Sequence, residues 1–217
     1  MGFHVISLDY MNNVITTACS GSTDSSCFDD YRQEIVFGTP VSNKVEVDSV
    51  NSIVNRLSKL LVFLAKNDPS GNWNRFLQDN RPRWDRIVVA GHSQGAGHAA
   101  YLGKSFRLAG VLMFSGPQDY LQVFHAPAPW QFRKGLTPVS RYYAFLHLRD
   151  PFHYSYQAAD VSAVINKPPT DTTMVYPGTP VTSTKHILVN NIETPNPHGS
   201  TLKEEFIPVW DYMTKNL

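Results

Sequence analysis

The sequence predicts a single α/β domain, a three-layer sandwich of helices packed around a mostly parallel sheet. Short apolar runs typical of buried strands alternate along the chain with longer segments typical of helices, and this alternation favours parallel strand pairing. The chain has 217 residues, which is the length of one domain and enough to bury a sizeable core. Its composition of 42% hydrophobic and 17% charged residues is that of a globular protein.

The first half of the chain begins with a predicted strand over residues 2–10. A polar loop follows, carries both cysteines and ends near residues 38–40. Over residues 47–66 apolar side chains recur every three or four positions, which predicts an amphipathic helix. A connector rich in tryptophan and arginine, residues 72–84, then leads to a β-branched run at 86–90 that is typical of a buried strand.

The second half repeats the same alternation. Residues 117–138 interrupt it, because they are rich in proline and aromatic side chains and are too long for a tight crossover. They predict a small cap or pocket wall inside the single domain. The remaining elements are predicted strands at 110–114, 142–148 and 186–190, and predicted helices at 96–104, 152–165 and 201–215.

Charge and hydropathy limit the classes of partner. A formal net charge of +1 gives no electrostatic reason to expect binding to nucleic acid or to an anionic membrane surface. No apolar run approaches the roughly 18–20 residues that span a bilayer. No metal or organic cofactor is implied by any motif. The expected partner is a small molecule.

Two cysteines, Cys19 and Cys27, lie in the same polar loop. Their closeness predicts a local disulfide, with unrelated reduced thiols as the alternative. A disulfide favours an exported or extracytoplasmic protein, yet residues 1–10 lack the basic and apolar regions of a signal peptide.

Residues 91–95 carry the strongest chemical signal of the chain. They have the sequence G-H-S-Q-G, directly after the predicted strand at 86–90 and directly before a predicted helix. In such a strand–turn–helix context the pattern G-x-S-x-G predicts a nucleophile elbow, a sharp turn that presents a serine hydroxyl above the sheet. Ser93 is therefore the candidate nucleophile, with an ordinary turn as the alternative. The main-chain N–H of Gln94, at the start of the helix, is a candidate oxyanion donor.

A serine nucleophile needs a base and an acid, which in elbow-type enzymes follow it in the order acid, then histidine. Asp150 follows the strand at 142–148, and His198 follows the last strand, so both lie at the sheet edge that presents Ser93. Asp119 also follows a strand and is an alternative acid. Among the other histidines, His92 is expected to pack beside the elbow.

Three further polar positions have structural interpretations. His98, in the helix after the elbow, is expected to be a structural histidine with its hydrogen bonds satisfied. His147, within a strand, is expected in the core or a pocket wall. Residues 32–34, with the sequence R-Q-E, are expected to be surface charge, with a structural ion pair as the alternative.

The ordered set Ser93, Asp150 and His198 resembles that of the α/β-hydrolase superfamily over almost the whole chain. Narrower similarity is to a branch of often exported α/β-hydrolase-like proteins. The residues that carry it are the opening G-F-H-V-I-S-L-D-Y, the two-cysteine loop, R-Q-E, S-I-V-N-R-L at 52–57 and G-H-S-Q-G-A-G-H-A-A at 91–100. The resemblance implies hydrolase chemistry without naming a substrate.

The chain departs from that superfamily at its start. In the resemblance, residues 2–10 match the fourth strand, so the first three strands and the loop that gives the second oxyanion donor have no counterpart. A truncated chain, a closed-up sheet, or a homo-oligomer in which a second copy pairs with exposed strand edges are the alternatives. Truncation is favoured.

Two functions of different class follow from the sequence. The first is a serine hydrolase that cleaves a small carboxylic ester through an acyl-enzyme, with Ser93 as nucleophile, His198 as base and Asp150 as acid. The second is a weakly active or non-catalytic protein of the same fold with a binding or structural role, which the missing oxyanion loop favours.

Overall fold

The computed structural model describes residues 2–217, and its centre is a five-stranded sheet in which every neighbouring pair is parallel. The strands of the described residues are β1 Leu77–Gln78, β2 Arg81–Pro82, β3 Val88–His92, β4 Gly110–Phe114, β5 Tyr120–Leu121, β6 Ala126–Pro127, β7 Tyr142–His147, β8 Thr172–Met174 and β9 Ile187–Asn190. The helices are α1 Cys27–Phe37, α2 Ile53–Asn67, α3 Gln94–Ser105, α4 Tyr154–Ile165 and α5 Ile207–Lys215. The predicted α/β sandwich is confirmed.

The sheet runs in the order β3-β4-β7-β9-β8, and two short antiparallel hairpins, β1–β2 and β5–β6, lie outside it. Alternate residues of each strand face opposite sides of the sheet. On one side Val111 and Met113 pack in a core with α1, α3 and α4. On the other side Leu112 and Phe114 pack with Val209 of α5. Helices therefore cover both faces, as the continuous apolar runs of the strands require.

The predicted first strand at 2–10 is wrong, because residues 2–12 contain no regular secondary structure. A strand needs a neighbour to receive its main-chain hydrogen bonds, and none of the described strands pairs with this segment. It contacts α2 instead, where Arg56 Nε donates to the Asp9 carbonyl at 2.7 Å. Its side chains are largely exposed, with Val5 at 84%.

Helix α1 occupies part of the segment that was expected to be a loop. Phe28, Tyr31 and Ile35 recur on one face and are all buried. Gly38 ends the helix in the left-handed conformation, with φ 73°. The Cys19–Cys27 disulfide is confirmed, and it joins the start of α1 to the turn Thr16–Cys19.

Residues 117–138 form the β5–β6 hairpin and two 3-10 turns, Gln122–Phe124 and Pro129–Phe132. The segment packs against α4 and α1, and Trp130 is completely buried there. The predicted helix at 201–215 divides into the 3-10 turns His198–Leu202 and Glu204–Phe206, followed by α5. The predicted helix at 47–66 begins later, at Ile53, because the Ser52 hydroxyl caps it by accepting from the Asn55 N–H.

Candidate active site

Ser93 lies alone between β3, which ends at His92, and α3, which begins at Gln94. Its backbone angles, φ 58° and ψ −122°, belong to a sparsely populated region for a residue with a side chain. Only glycine fits at position 91, since a Cβ there would lie 2.0 Å from the carbonyl oxygen of Gly95. The Ser93 N–H donates to the Phe114 carbonyl at 2.8 Å, which ties the turn to β4. The local geometry is that of a sharp strand-to-helix elbow.

Asp150 and His198 lie side by side at the same edge of the sheet. Asp150 follows β7 and His198 follows β9, and His198 Nδ1 lies 2.8 Å from Asp150 Oδ2. Because a carboxylate can only accept, Nδ1 carries the proton and Nε2 is left free to act as a base. The side chain of Asp150 is fully buried and that of His198 is 15% exposed.

The pKa of Asp150 is set by opposing effects. Burial raises it, but the hydrogen bonds that the carboxylate accepts from His198 and from the Phe152 N–H outweigh burial, and the pKa lies below its ordinary value. Asp150 is therefore ionised at neutral pH and holds the imidazole in one tautomer.

Two neighbours of the elbow hold His198 in place. Its carbonyl oxygen accepts from Ser115 Oγ at 2.7 Å and from His92 Nε2 at 2.9 Å. The His198 ring lies between the rings of His92 and Phe152, with centroids 4.7 and 4.6 Å away. Within residues 2–217 the Ser93 hydroxyl makes no hydrogen bond with His198. Such contacts are often long in the absence of substrate and tighten in the reacting complex.

Gln94 has three separate anchors around the elbow. Its main-chain N–H is among the first of α3, and those N–H groups have no partner within the helix. Its carbonyl accepts from Arg32 Nη1 at 2.8 Å. Its side chain accepts from the Thr16 N–H at 2.9 Å and donates to Asn12 Oδ1 at 2.7 Å. The residue after Ser93 is thereby fixed on both its main chain and its side chain.

Asp119 belongs to a different network from His198. Its carboxylate pairs with Arg32, with Nε 2.9 Å from Oδ2, and both side chains are completely buried. Thr16 Oγ1 and Trp130 Nε1 also donate to it, while its own N–H donates to Asp160. Asp119 thus belongs to a buried ion pair with Arg32. Surface charge is therefore wrong for Arg32, which takes part in a structural ion pair, the alternative interpretation.

Because Gly97 has no side chain, the Arg32 guanidinium has room to reach this network. A Cβ at position 97 would lie 2.1 Å from Arg32 Nη2, so a side chain there would collide with the guanidinium.

The third residue of the R-Q-E motif is also buried: Glu34 accepts from the N–H groups of Val41, Ser42 and Val47.

Two other histidines are buried. His147 is in the core as expected, and its Nε2 donates to the Ile192 carbonyl at 3.0 Å. His98 is not satisfied as expected: neither ring nitrogen has a partner among the described residues. Burial, with the charge of Arg32, lowers its pKa well below the ordinary value.

A cleft of about 670 Å³ runs along the free edge of β3. Residues of the 2–10 segment form its opposite wall, and it reaches Gly91, His92 and Gly95 at the elbow. Two arginines, Arg75 and Arg86, line it, and no carboxylate does.

Metal and membrane features are absent from the part of the chain that the structure describes. No group of three or more metal-ligating side chains is found there. No helix there is both long and apolar enough to cross a bilayer.

Comparison of the chain with models of protein families, with curated proteins and with solved structures yields no match.

Sequence reasoning missed three residues of this region, namely Asn12, Thr16 and Ser115. Ser115 had a usable signal, since it directly follows the end of β4. The contacts of Arg32 with Gln94 and Asp119 span 62 and 87 residues, and no local pattern encodes them.

Proposed function

We propose that the protein is a serine hydrolase that cleaves a carboxylic ester by acyl transfer. The observation that carries the proposal is the strained elbow at Ser93, directly after His92, whose imidazole contacts the main chain of the Asp150-paired His198. Strain of this kind persists only where the surrounding structure imposes it, and it concentrates at functional sites.

In the proposed reaction His198 Nε2 removes the proton of the Ser93 hydroxyl as the serine oxygen attacks the ester carbonyl. The tetrahedral intermediate carries its negative charge on the former carbonyl oxygen, which the Gln94 N–H stabilises. Its collapse breaks the bond to the alcohol oxygen, and the imidazolium returns the proton to that oxygen.

Water completes the cycle by the same steps. His198 takes a proton from water, the hydroxide attacks the acyl group on Ser93, and the proton passes to the serine oxygen as the carboxylic acid leaves. Asp150 stays ionised throughout and stabilises the imidazolium, which agrees with the direction of its pKa shift.

Labelling with a fluorophosphonate probe tests the proposal directly. The expected result is one adduct, located on Ser93 by peptide mass spectrometry, together with hydrolysis of p-nitrophenyl acetate. Ser93→Ala is expected to abolish both, whereas Ser140→Ala, a control at an exposed serine before β7, is expected to change neither. A folded protein that takes no label would exclude the proposal.

The second candidate function is binding without turnover. It is favoured by the observation that, among residues 2–217, the Ser93 hydroxyl makes no hydrogen bond with His198. Ester turnover that Ser93→Ala abolishes would rule it out.

A further inference from the structure

The orientations of two side-chain amides beside the elbow are fixed by one main-chain group. The Thr16 N–H can only donate, so the group that faces it at 2.9 Å must be the Gln94 side-chain oxygen. The Gln94 NH2 group then points the other way, where it lies 2.7 Å from the side chain of Asn12. Since an NH2 group can only donate, Asn12 must present its oxygen to it.

The NH2 group of Asn12 is consequently the free end of that amide. Asn12 is exposed, and within residues 2–217 its Nδ2 has no hydrogen-bond partner. Its oxygen is bonded to the residue that follows Ser93. An unpaired donor is thus held at the end of the Gln94 side chain, and the main-chain N–H of that same residue is the first oxyanion donor.

We infer that Asn12 Nδ2 is the second oxyanion donor of this site. The inference rests on the proposed function, since it assigns a role in the same reaction. A tetrahedral intermediate formed on Ser93 carries its charge on one oxygen, and two converging donors stabilise that charge better than one. In this chain the donors are the Gln94 N–H and the Asn12 side chain.

The hydrogen bonds that link Thr16 to Gln94 and Gln94 to Asn12 explain why an exposed asparagine can act as a donor. A flexible side chain stabilises a transition state poorly, because it must be ordered during the reaction. Here the buried Gln94 amide orders Asn12 beforehand, and Thr16 orders Gln94. The Cys19–Cys27 disulfide anchors the turn on which Thr16 lies.

Two substitutions separate donation by Asn12 from its support of Gln94. Asn12→Ala removes both the donor and the acceptor. Asn12→Asp keeps an oxygen for Gln94 but replaces the donor NH2 group with a carboxylate oxygen and its negative charge, so wild-type kcat in this variant would exclude donation by Asn12. Asn13→Ala is the matched control, because Asn13 is the adjacent exposed asparagine. Each variant is compared with the wild-type chain in hydrolysis of p-nitrophenyl acetate and in inhibition by an aryl trifluoromethyl ketone, which forms an oxyanion on the serine.

The expected result is a fall in kcat of about 10²–10³ for both Asn12 variants, the usual effect of losing one oxyanion donor. KM is expected to stay within about twofold of wild type, inhibition by the ketone to weaken by a factor similar to that in kcat, and Asn13→Ala to match wild type. If Ser93 is active and Asn12→Asp keeps wild-type kcat, the inference is overturned and the proposed function stands. If wild type neither hydrolyses the ester nor takes a fluorophosphonate label, both are overturned.

Discussion

His198 Nδ1 lies 2.8 Å from Asp150 Oδ2, and the aspartate side chain is completely buried while the imidazole keeps 15% of its surface exposed. The pair is thus open to solvent only on the side of the base. That asymmetry suits a histidine that must exchange protons with a substrate while its orientation is fixed from behind.

Substitution of Asp150 tests this relationship. Asp150→Asn removes the charge that selects the imidazole tautomer, so kcat for p-nitrophenyl acetate is expected to fall about 10⁴-fold with little change in KM. The comparison is with Asp211→Asn, at a partly exposed carboxylate that pairs with Lys215 on α5, and this control is expected to keep wild-type kcat. Equal kcat for Asp150→Asn and wild type would remove Asp150 from the proposed mechanism.

Asp119 is expected to matter for folding. Asp119→Asn leaves the buried Arg32 guanidinium without its counter-charge, and the free energy of unfolding is expected to fall by about 3–5 kcal/mol. Urea denaturation followed by circular dichroism measures this loss. Asp211→Asn is again the control, because an exposed pair contributes about 0.5 kcal/mol or less. A loss no larger than that of the control would show that the Arg32–Asp119 pair is not a stabilising contact.

His98 is expected to make stability depend on pH. Its folded-state pKa lies well below 6.5, so below pH 6.5 the unfolded chain binds a proton that the folded chain does not. The free energy of unfolding is therefore expected to fall as the pH drops below 6.5.

His98→Phe keeps a ring between Tyr10 and Tyr31 and removes two unpartnered nitrogens. It is expected to raise the free energy of unfolding by about 1 kcal/mol at pH 7 and to flatten its dependence on pH between 5 and 7. Thermal melts across that range measure both effects. An unchanged slope in the variant would assign the acid sensitivity to another group.

The Cys19–Cys27 disulfide closes a short loop, with a sequence separation of 8. By the loop-closure model its removal is expected to cost about 2–3 kcal/mol. The measurement is the melting temperature with and without reductant. The double variant Cys19→Ser, Cys27→Ser is expected to melt like the reduced wild type and to ignore the reductant. A melting temperature that reduction leaves unchanged would contradict the prediction.

Strands β4, β7 and β9 could be predicted from the sequence to within one residue at each end, because a strand buried on both faces needs a continuous apolar run. The strand predicted at 86–90 begins and ends two residues later, as β3, and the short edge strand β8 was not predicted. Helix α1 was missed although its signals are present, since Phe28, Tyr31 and Ile35 share one face and Gly38 follows. The opening strand was wrong for a different reason. Its residues favour an extended chain, but a strand also needs a partner, and partners are not a local property.

The candidate site also combines contacts that could be predicted from the sequence with contacts that could not. The contact between Asp150 and His198 could be expected from chain order, because parallel strands bring their carboxyl ends to one edge. The network of Arg32, Asp119, Thr16 and Gln94 could not, since its hydrogen bonds join residues 16 to 103 positions apart. Buried polar residues find partners through the tertiary fold, and residue type alone does not say which.

A Cβ at position 97 would lie 2.1 Å from Arg32 Nη2, and this clash restricts which residues homologues can carry at positions 32 and 97. A homologue that replaces Gly97 with any larger residue must shorten or redirect the side chain at position 32, and one that loses the arginine no longer needs glycine in this turn of α3. The two positions should therefore change together in evolution, although 65 residues separate them in the chain. Glycine at 97 would then identify the homologues in which an arginine guanidinium still donates to the carbonyl of the residue after the serine.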